Sequence, residues 1–260
     1  MINGNKRYIE SGMCLSAIYN PSVFIHIVLY GRVPEMKDRV LHWDGCINVR
    51  DLGGLRTCDG RVTRRREIVR SDNPARLTAD GWSALYAYGI RTVISLRTHG
   101  MTENELDFTP PFSDIVTIQA AIEDITDQEF LQKWAASDLW CTPLYYGDAL
   151  RRWPERHAAA ITAVAQARPG GVLIHCIRGN DRTGIIVLLL LALVGVTPDD
   201  MIADYELSPD SERDELLARE HSSVRDALLG ALKGLDIGSY LRAGGVGQED
   251  LDRIRKRLLG

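Results

Sequence analysis

Apolar positions along the chain gather into short buried runs separated by polar stretches of helical period. Gly171-Val-Leu-Ile-His-Cys176 follows Pro169-Gly170 and reads as a strand buried on both faces. A polar loop comes next, and then Ile185 to Val194 is apolar throughout, the pattern of a buried helix. Upstream, Glu67 to Ser71 and Arg91 to Arg97 (RTVISLR) read as strands. Between them Thr78 is an N-cap, Trp82, Leu85 and Tyr86 recur at helical spacing, and Gly89 is the stop. Strand, helix and strand in that order imply a parallel crossover unit.

The remaining segments extend this picture. In residues 38–62, Val40 to Trp43 is a short β-like run, Ile47 to Gly54 follows a turn at Asp44-Gly45, and Asp59-Gly60 is a hairpin turn. Asp114 to Ile118 is a further candidate strand. Residues 123–156 are polar and aromatic, with Trp134, Trp140, Tyr145, Tyr146 and Trp153, and predict helices joined near Pro143. His157 to Ala167 predicts an alanine-rich helix, and Thr197 with Pro198 starts another. Mixed-charge helical segments over 199–232 break near Pro209, and Gln248 to Leu259 closes the chain as an amphipathic helix. The expected fold class is α/β, a central and mostly parallel sheet flanked by helices. Such sheets bind ligands beyond the carboxyl ends of their strands, where Cys176 lies.

Composition narrows the function classes. The 260 residues are 45% hydrophobic and 25% charged, enough for a substantial core. A net charge of −4 argues against a general nucleic-acid binder. The five cysteines, Cys14, Cys46, Cys58, Cys141 and Cys176, form no C-x-x-C pair. An odd count at wide spacing points to a reducing, cytoplasmic compartment, with secretion lacking a recognisable signal peptide as the alternative. No stretch reaches the roughly 20 apolar residues that a membrane span needs. Residues 1–36 read as an N-terminal arm of unknown role, and 37–260 as one domain with candidate lids at 123–156 and 208–240. The sequence is silent on oligomeric state.

The chemistry concentrates between His175 and Gly184. The strand delivers Cys176, the loop returns Arg182 six residues later, and a helix begins there with its unpaired N–H groups aimed back at the sulfur. Such a setting favours a nucleophilic thiolate. The N–H groups of Ile177, Arg178, Gly179, Asn180, Asp181 and Arg182 can curl into a nest for phosphate oxygens, with Gly179 supplying the turn. Arg182 can bind two oxygens bidentately. Cys176 can therefore attack phosphorus to give a phosphocysteine that water hydrolyses, without metal or organic cofactor. A carboxyl beside the phosphate's charge is raised by like-charge repulsion, which makes Asp181 the candidate acid. Thr183 is expected to hydrogen-bond the Cys176 sulfur, and His175 to orient the loop without serving as the base.

His175-Cys176-x5-Arg182-Thr183 resembles the signature loop of cysteine-dependent protein tyrosine phosphatases. More narrowly, the chain resembles the bacterial tyrosine/serine phosphatase family of the mycobacterial secreted phosphatase B type. That family's N-x-R-D-L-G-G segment is matched by Asn48 to Gly54, its R-S strand end by Arg70-Ser71, and its G-I-x-x-V-I-x-L-R strand by Gly89 to Arg97. Its loop H-C-x-x-G-K-D-R-T-G is matched by residues 175–184, and its C-terminal helix by Tyr240 to Leu259. The resemblance covers about residues 38–260. It implies a phosphotyrosine-phosphatase-like fold with helical lid insertions and a phosphorylated protein or lipid as substrate. Two positions depart from the pattern: Asn180 replaces the loop lysine, and Ser95 stands where the strand often ends D-L-R. Without an Asp at 95, the acid assignment moves to Asp181, an arrangement that also resembles myotubularin-type and Sac-type lipid phosphatases.

Bland readings stand beside these. Asp181 can merely bond loop amides. Arg178 is either solvated or a substrate contact, and Asn180 reads as a loop or rim residue. Arg50 and Asp51 either border the pocket or brace the Gly53-Gly54 turn. Asp148 reads as a solvated helix residue, and the aromatic set at 134–153 as core or lid packing. The Arg64-Arg65-Arg66 run reads as a solvated face.

Overall fold

The computed structural model describes residues 36–98 and 107–260. In chain order the elements are β1 (Arg50–Asp51), β2 (Ile68–Ser71), α1 (Ala79–Tyr88), β3 (Ile90–Ser95), β4 (Val116–Gln119), α2 (Gln128–Trp134), α3 (Tyr146–Arg152), α4 (Pro154–Ala165) and β5 (Gly171–His175). They continue as α5 (Asp181–Leu193), α6 (Pro198–Glu206), α7 (Arg213–Arg219), α8 (Val224–Leu232), α9 (Ile237–Ala243) and α10 (Gln248–Leu259). The strand order is β1-β2-β5-β3-β4, parallel except for β1, which lies antiparallel on β2. The α/β fold with a mostly parallel sheet is therefore as the apolar pattern requires.

β5 sits at the centre and is buried at every position. Its side chains alternate between two cores, because a strand turns successive residues to opposite faces. Val172 and Ile174 join Ile68, Ile94 and the apolar body of α5, while Leu173 joins Val69, Val93, Trp82 and Leu85 on the other face. Fully burying one such aliphatic side chain stabilises the fold by about 1.5–3 kcal/mol, so the strand preceding Cys176 is among the most firmly held segments.

Local signals act as their chemistry predicts. The Thr78 hydroxyl accepts from the Gly81 amide (3.2 Å), Gly89 closes α1 with φ of 106°, and the Thr197 hydroxyl accepts from the Asp200 amide (3.3 Å). The two β-like runs before residue 55 shrink to the pair Arg50–Asp51 and a single bridge from Val40 to Arg50. Side chains rather than a ladder satisfy this stretch. Asp51 accepts from the Gly53 amide (2.7 Å), the Arg66 amide (2.7 Å) and the Tyr88 hydroxyl, so it braces the Gly53-Gly54 turn. A Cβ on Gly53 would run into the backbone of Arg64 and Arg65, so the turn needs glycine there.

The expected arm over 1–36 lies outside the described residues apart from Met36. Among the described residues no helix is long and apolar enough to cross a membrane, and no acidic, His and Cys group could hold a metal ion. In the 123–156 segment Phe130 is the hub of a ring cluster with Trp134, Trp140, Tyr145 and Trp153, at centroid distances of 4.5 to 6.5 Å. Packing is thus the main work of the aromatic set. Asp148 is not solvated: it is buried and takes Lys133 (3.2 Å), Trp134 Nε1 (2.8 Å), Arg151 and Arg152.

Candidate active site

The loop of residues 176–180 hangs between the central strand β5 and the start of α5. Gly179 adopts φ of 73°, and a Cβ there would strike the Ser71 backbone at the end of β2, so only glycine lets the loop lie this close to the sheet. Five consecutive carbonyls are then drawn outward. His175 Nδ1–H donates to the Cys176 carbonyl (2.9 Å), the Asn73 amide to Ile177 (3.1 Å), and Asn48 Nδ2 to Arg178 (2.8 Å). Arg70 Nη2 donates to the carbonyls of both Gly179 (2.6 Å) and Asn180 (3.2 Å). In a planar trans peptide each carbonyl opposes the next N–H. The amides of 177 through 181 therefore face inward, and the Gly179 amide reaches the Cys176 sulfur at 3.2 Å. The inward amides thus surround the side of the loop on which the Cys176 sulfur lies.

The pocket over this loop has a volume of about 180 Å³ and is lined by Cys176, Ile177, Arg178, Asp181, Arg182, Glu123, Trp140 and Tyr145. Asp181 opens α5 and is fixed twice: the Tyr205 hydroxyl donates to its Oδ1 (3.1 Å) and the Tyr146 hydroxyl to its carbonyl (2.9 Å). Burial pushes its carboxyl up to about 6 against the Tyr205 hydrogen bond, and Asp210 and Glu123 add to the rise. Gly184 belongs to this arrangement, because a Cβ there would occupy the place of the Tyr146 hydroxyl. Arg182 is largely buried and lies with Nε 3.7 Å from Glu123 Oε2. Burial opposes its charge, yet Cys176 and then Glu123 outweigh this and raise its pKa.

Glu123 was not legible from motif spacing. It lies four residues beyond the end of β4, is fully buried, and accepts through Oε1 from Tyr145 (3.0 Å) and Trp140 (3.3 Å). Burial raises its pKa while Arg182, Tyr145 and Trp140 lower it. Its one signal is topological: parallel strands bring their carboxyl ends to one edge, so an acid just past β4 falls near the residue just past β5, although Asp124 next to it shares that signal. Tyr146 and Asp210 fall in segments expected as lids, but nothing local ties them, or Tyr205, to Asp181 or Arg178.

Other expected residues resolve as follows. His175 is buried, with burial holding its pKa down to about 4, and its Nδ1–H is committed to the Cys176 carbonyl. Thr183 does not bond the sulfur; its buried hydroxyl has no hydrogen-bond partner among the described residues, and Gly179 N–H is the donor to the sulfur. Asn180 is not at the rim. It is buried, with Oδ1 on Asn48 Nδ2 (2.8 Å) and Nδ2 facing Pro209 and Asp210. Arg178 is half exposed, lines the pocket and pairs with Asp210 at 3.2 Å. Arg50 and Asp51 do not border the pocket: both are buried, Arg50 behind the loop and Asp51 in the turn.

The chain is similar to proteins named as phosphatases. A protein of Cupriavidus necator named as a tyrosine-protein phosphatase is 33% identical over 172 residues, covering 64% of this chain, and the match spans 61% of that relative's length. The triple specificity protein phosphatase PtpB of Mycobacterium tuberculosis is 28% identical over 279 residues, covering 83% of this chain and 98% of that protein. A crystal structure of P. aeruginosa TpbA in complex with pTyr shares 16% identity and a TM-score of 0.35, over 72% of this chain and 91% of that one. The family model described as "Tyrosine phosphatase family" matches residues 41–260, most of the chain, and the chain belongs to that family.

Proposed function

We propose that this protein hydrolyses phosphate monoesters through a phosphocysteine, with protein phosphotyrosine as the leading substrate. The observation that carries the reading is a sulfur at the centre of inward-facing amides, with Arg182 and a raised carboxyl on the same loop. The amides of 177–181 and the Arg182 guanidinium hold the non-bridging oxygens and stabilise the charge that develops on them. Cys176 Sγ forms a bond to phosphorus as the bond to the ester oxygen breaks, and Asp181 gives its proton to that leaving oxygen. Asp181, now a carboxylate, takes a proton from water as water attacks phosphorus. Phosphate leaves, the S–P bond breaks, and the thiolate returns.

Trp140 lines the pocket and Asp210 pairs with the pocket-lining Arg178, which supports reading the 123–156 and 208–240 segments as lids. Dual specificity is supported by the triple specificity named for the mycobacterial relative. The thiols of Cys46 and Cys176, unbridged among the described residues, are in keeping with a reducing, cytoplasmic setting. Purified protein should release phosphate from phosphotyrosine peptides faster than from phosphoserine peptides or phosphoinositides, and Cys176→Ser should abolish release. Turnover that survives Cys176→Ser would sink the phosphocysteine. A parent protein that binds phosphopeptide without turnover would instead be a binding module.

A further inference from the structure

Three arginines far apart in sequence converge on one carboxylate beneath the phosphate loop. Asp204, on α6, takes Arg39 Nη2 (2.8 Å) and Arg50 Nε (3.2 Å) on Oδ1, and Arg70 Nη1 (2.8 Å) on Oδ2. Arg50 also donates to the Asp204 carbonyl (2.7 Å), to Ser208 Oγ (2.9 Å) and to Asn48 Oδ1. All of these side chains are buried. Burial alone would raise the Asp204 carboxyl, but Arg50, Arg70 and Arg39 hold it well below the usual carboxylate range, so it is ionised.

Two arms leave this node, and both end on the loop. Arg70 spans from Asp204 to the carbonyls of Gly179 and Asn180, and the path through Arg50 and Asn48 ends on the carbonyl of Arg178. We propose that Arg70 and Asn48, both set by Asp204, are the positioning residues of the phosphate cradle: they hold the carbonyls of 178–180 outward so that the amides of 179–181 meet the phosphoryl oxygens. None of the three touches substrate. The proposal rests on the reading of the Cys176 loop as a phosphoryl site. It gives the Asn48, Arg50 and Arg70 motif positions a role that pocket lining does not supply. The same node places three guanidinium charges against one carboxylate behind the loop, and this excess favours an anion in the cradle.

The test is equilibrium binding of orthovanadate and inorganic phosphate, measured by calorimetry beside turnover and urea stability for the full chain. Arg70→Met should weaken orthovanadate binding about a hundredfold and Asn48→Ala about tenfold, as two carbonyl anchors and one are lost. kcat should fall in step. Arg70→Lys keeps the charge but cannot bridge carboxylate and carbonyls as a planar fork does, so it should recover only part of the loss. Ile254→Ala in the α10 core, which lowers stability away from the node, should bind orthovanadate like the parent. If Arg70→Met does not fold, Asn48→Ala decides. Binding within twofold of the parent in a folded Arg70→Met or Asn48→Ala overturns the proposal. Should the parent lack turnover, the phosphatase reading fails on its own, and the binding series still reports on the cradle.

Discussion

Asp181→Asn is the substitution that tests the acid most directly. It keeps the shape of the side chain and leaves an oxygen for the Tyr205 hydroxyl, so the loop should stay in place. With its pKa at about 6, roughly half of Asp181 carries a proton near pH 6, against under about 1% for an ordinary Asp. A positioned acid of this kind is worth about 10²–10⁴ in rate. The need for it scales with the basicity of the leaving oxygen. For phosphotyrosine, whose phenolic oxygen has a pKa near 10, kcat should fall about 10²–10³-fold in the variant, within that range. For p-nitrophenyl phosphate, a far better leaving group, the fall should be about tenfold or less on the same Brønsted argument. The assay is steady-state phosphate release from both substrates across pH. The parent's kcat/KM should drop as pH rises through about 6, because the acid form disappears, and the variant should lose that limb while the substrate's own ionisation remains. Equal losses on both substrates, or an unchanged pH profile, would refute the acid and leave Asp181 a structural residue. Tyr205→Phe checks the environment, since removing a hydrogen bond that lowers the carboxyl pKa should move the descending limb to higher pH.

Glu123→Gln keeps the bonds from Tyr145 and Trp140 but removes the charge facing Arg182. It should lower kcat about tenfold, the value of one charge-assisted contact, and move the limb near pH 6 to lower pH without abolishing it, because Glu123 helps to raise Asp181; complete loss of that limb would make Glu123 the proton donor instead. His157 is buried and neutral, its pKa pushed down to about 3, whereas the unfolded chain takes up a proton near 6.5. Its contribution is therefore present above pH 6.5 and lost on acidification. His157→Gln should lose about 2 kcal/mol less stability than the parent between pH 6.5 and 5 in urea melts, and parallel losses in the two proteins would refute this.

The part of the site visible in the sequence was the part that is local. Strand, Cys176, Gly179, Arg182 and helix follow one another without interruption, so apolar pattern and loop chemistry sufficed. The same locality made Thr78 and Thr197 readable as caps. What escaped depends on distant contacts. Glu123 reaches Arg182 across the sheet edge, Tyr205 reaches Asp181 from the next helix, and Arg39 meets Asp204 across 165 positions. No periodicity records such pairings. The burial of Asn180 and Asp148 is not legible locally, because polar residues default to solvent. Both are buried by partners that local sequence does not reveal, Asn48 and Asp210 for one, Trp134 and the nearby cations for the other.

The five anchored carbonyls have a consequence for timing. A loop already held from outside gives up its conformational freedom when the chain folds, not when an ester arrives. Phosphate capture should then be limited by diffusion and by the segments around the opening, with no rearrangement of the cradle itself. The converse concerns damage. A change that loosens one anchor leaves the apolar core in place, so it should weaken the grip on oxyanions more than a core substitution of equal cost in stability.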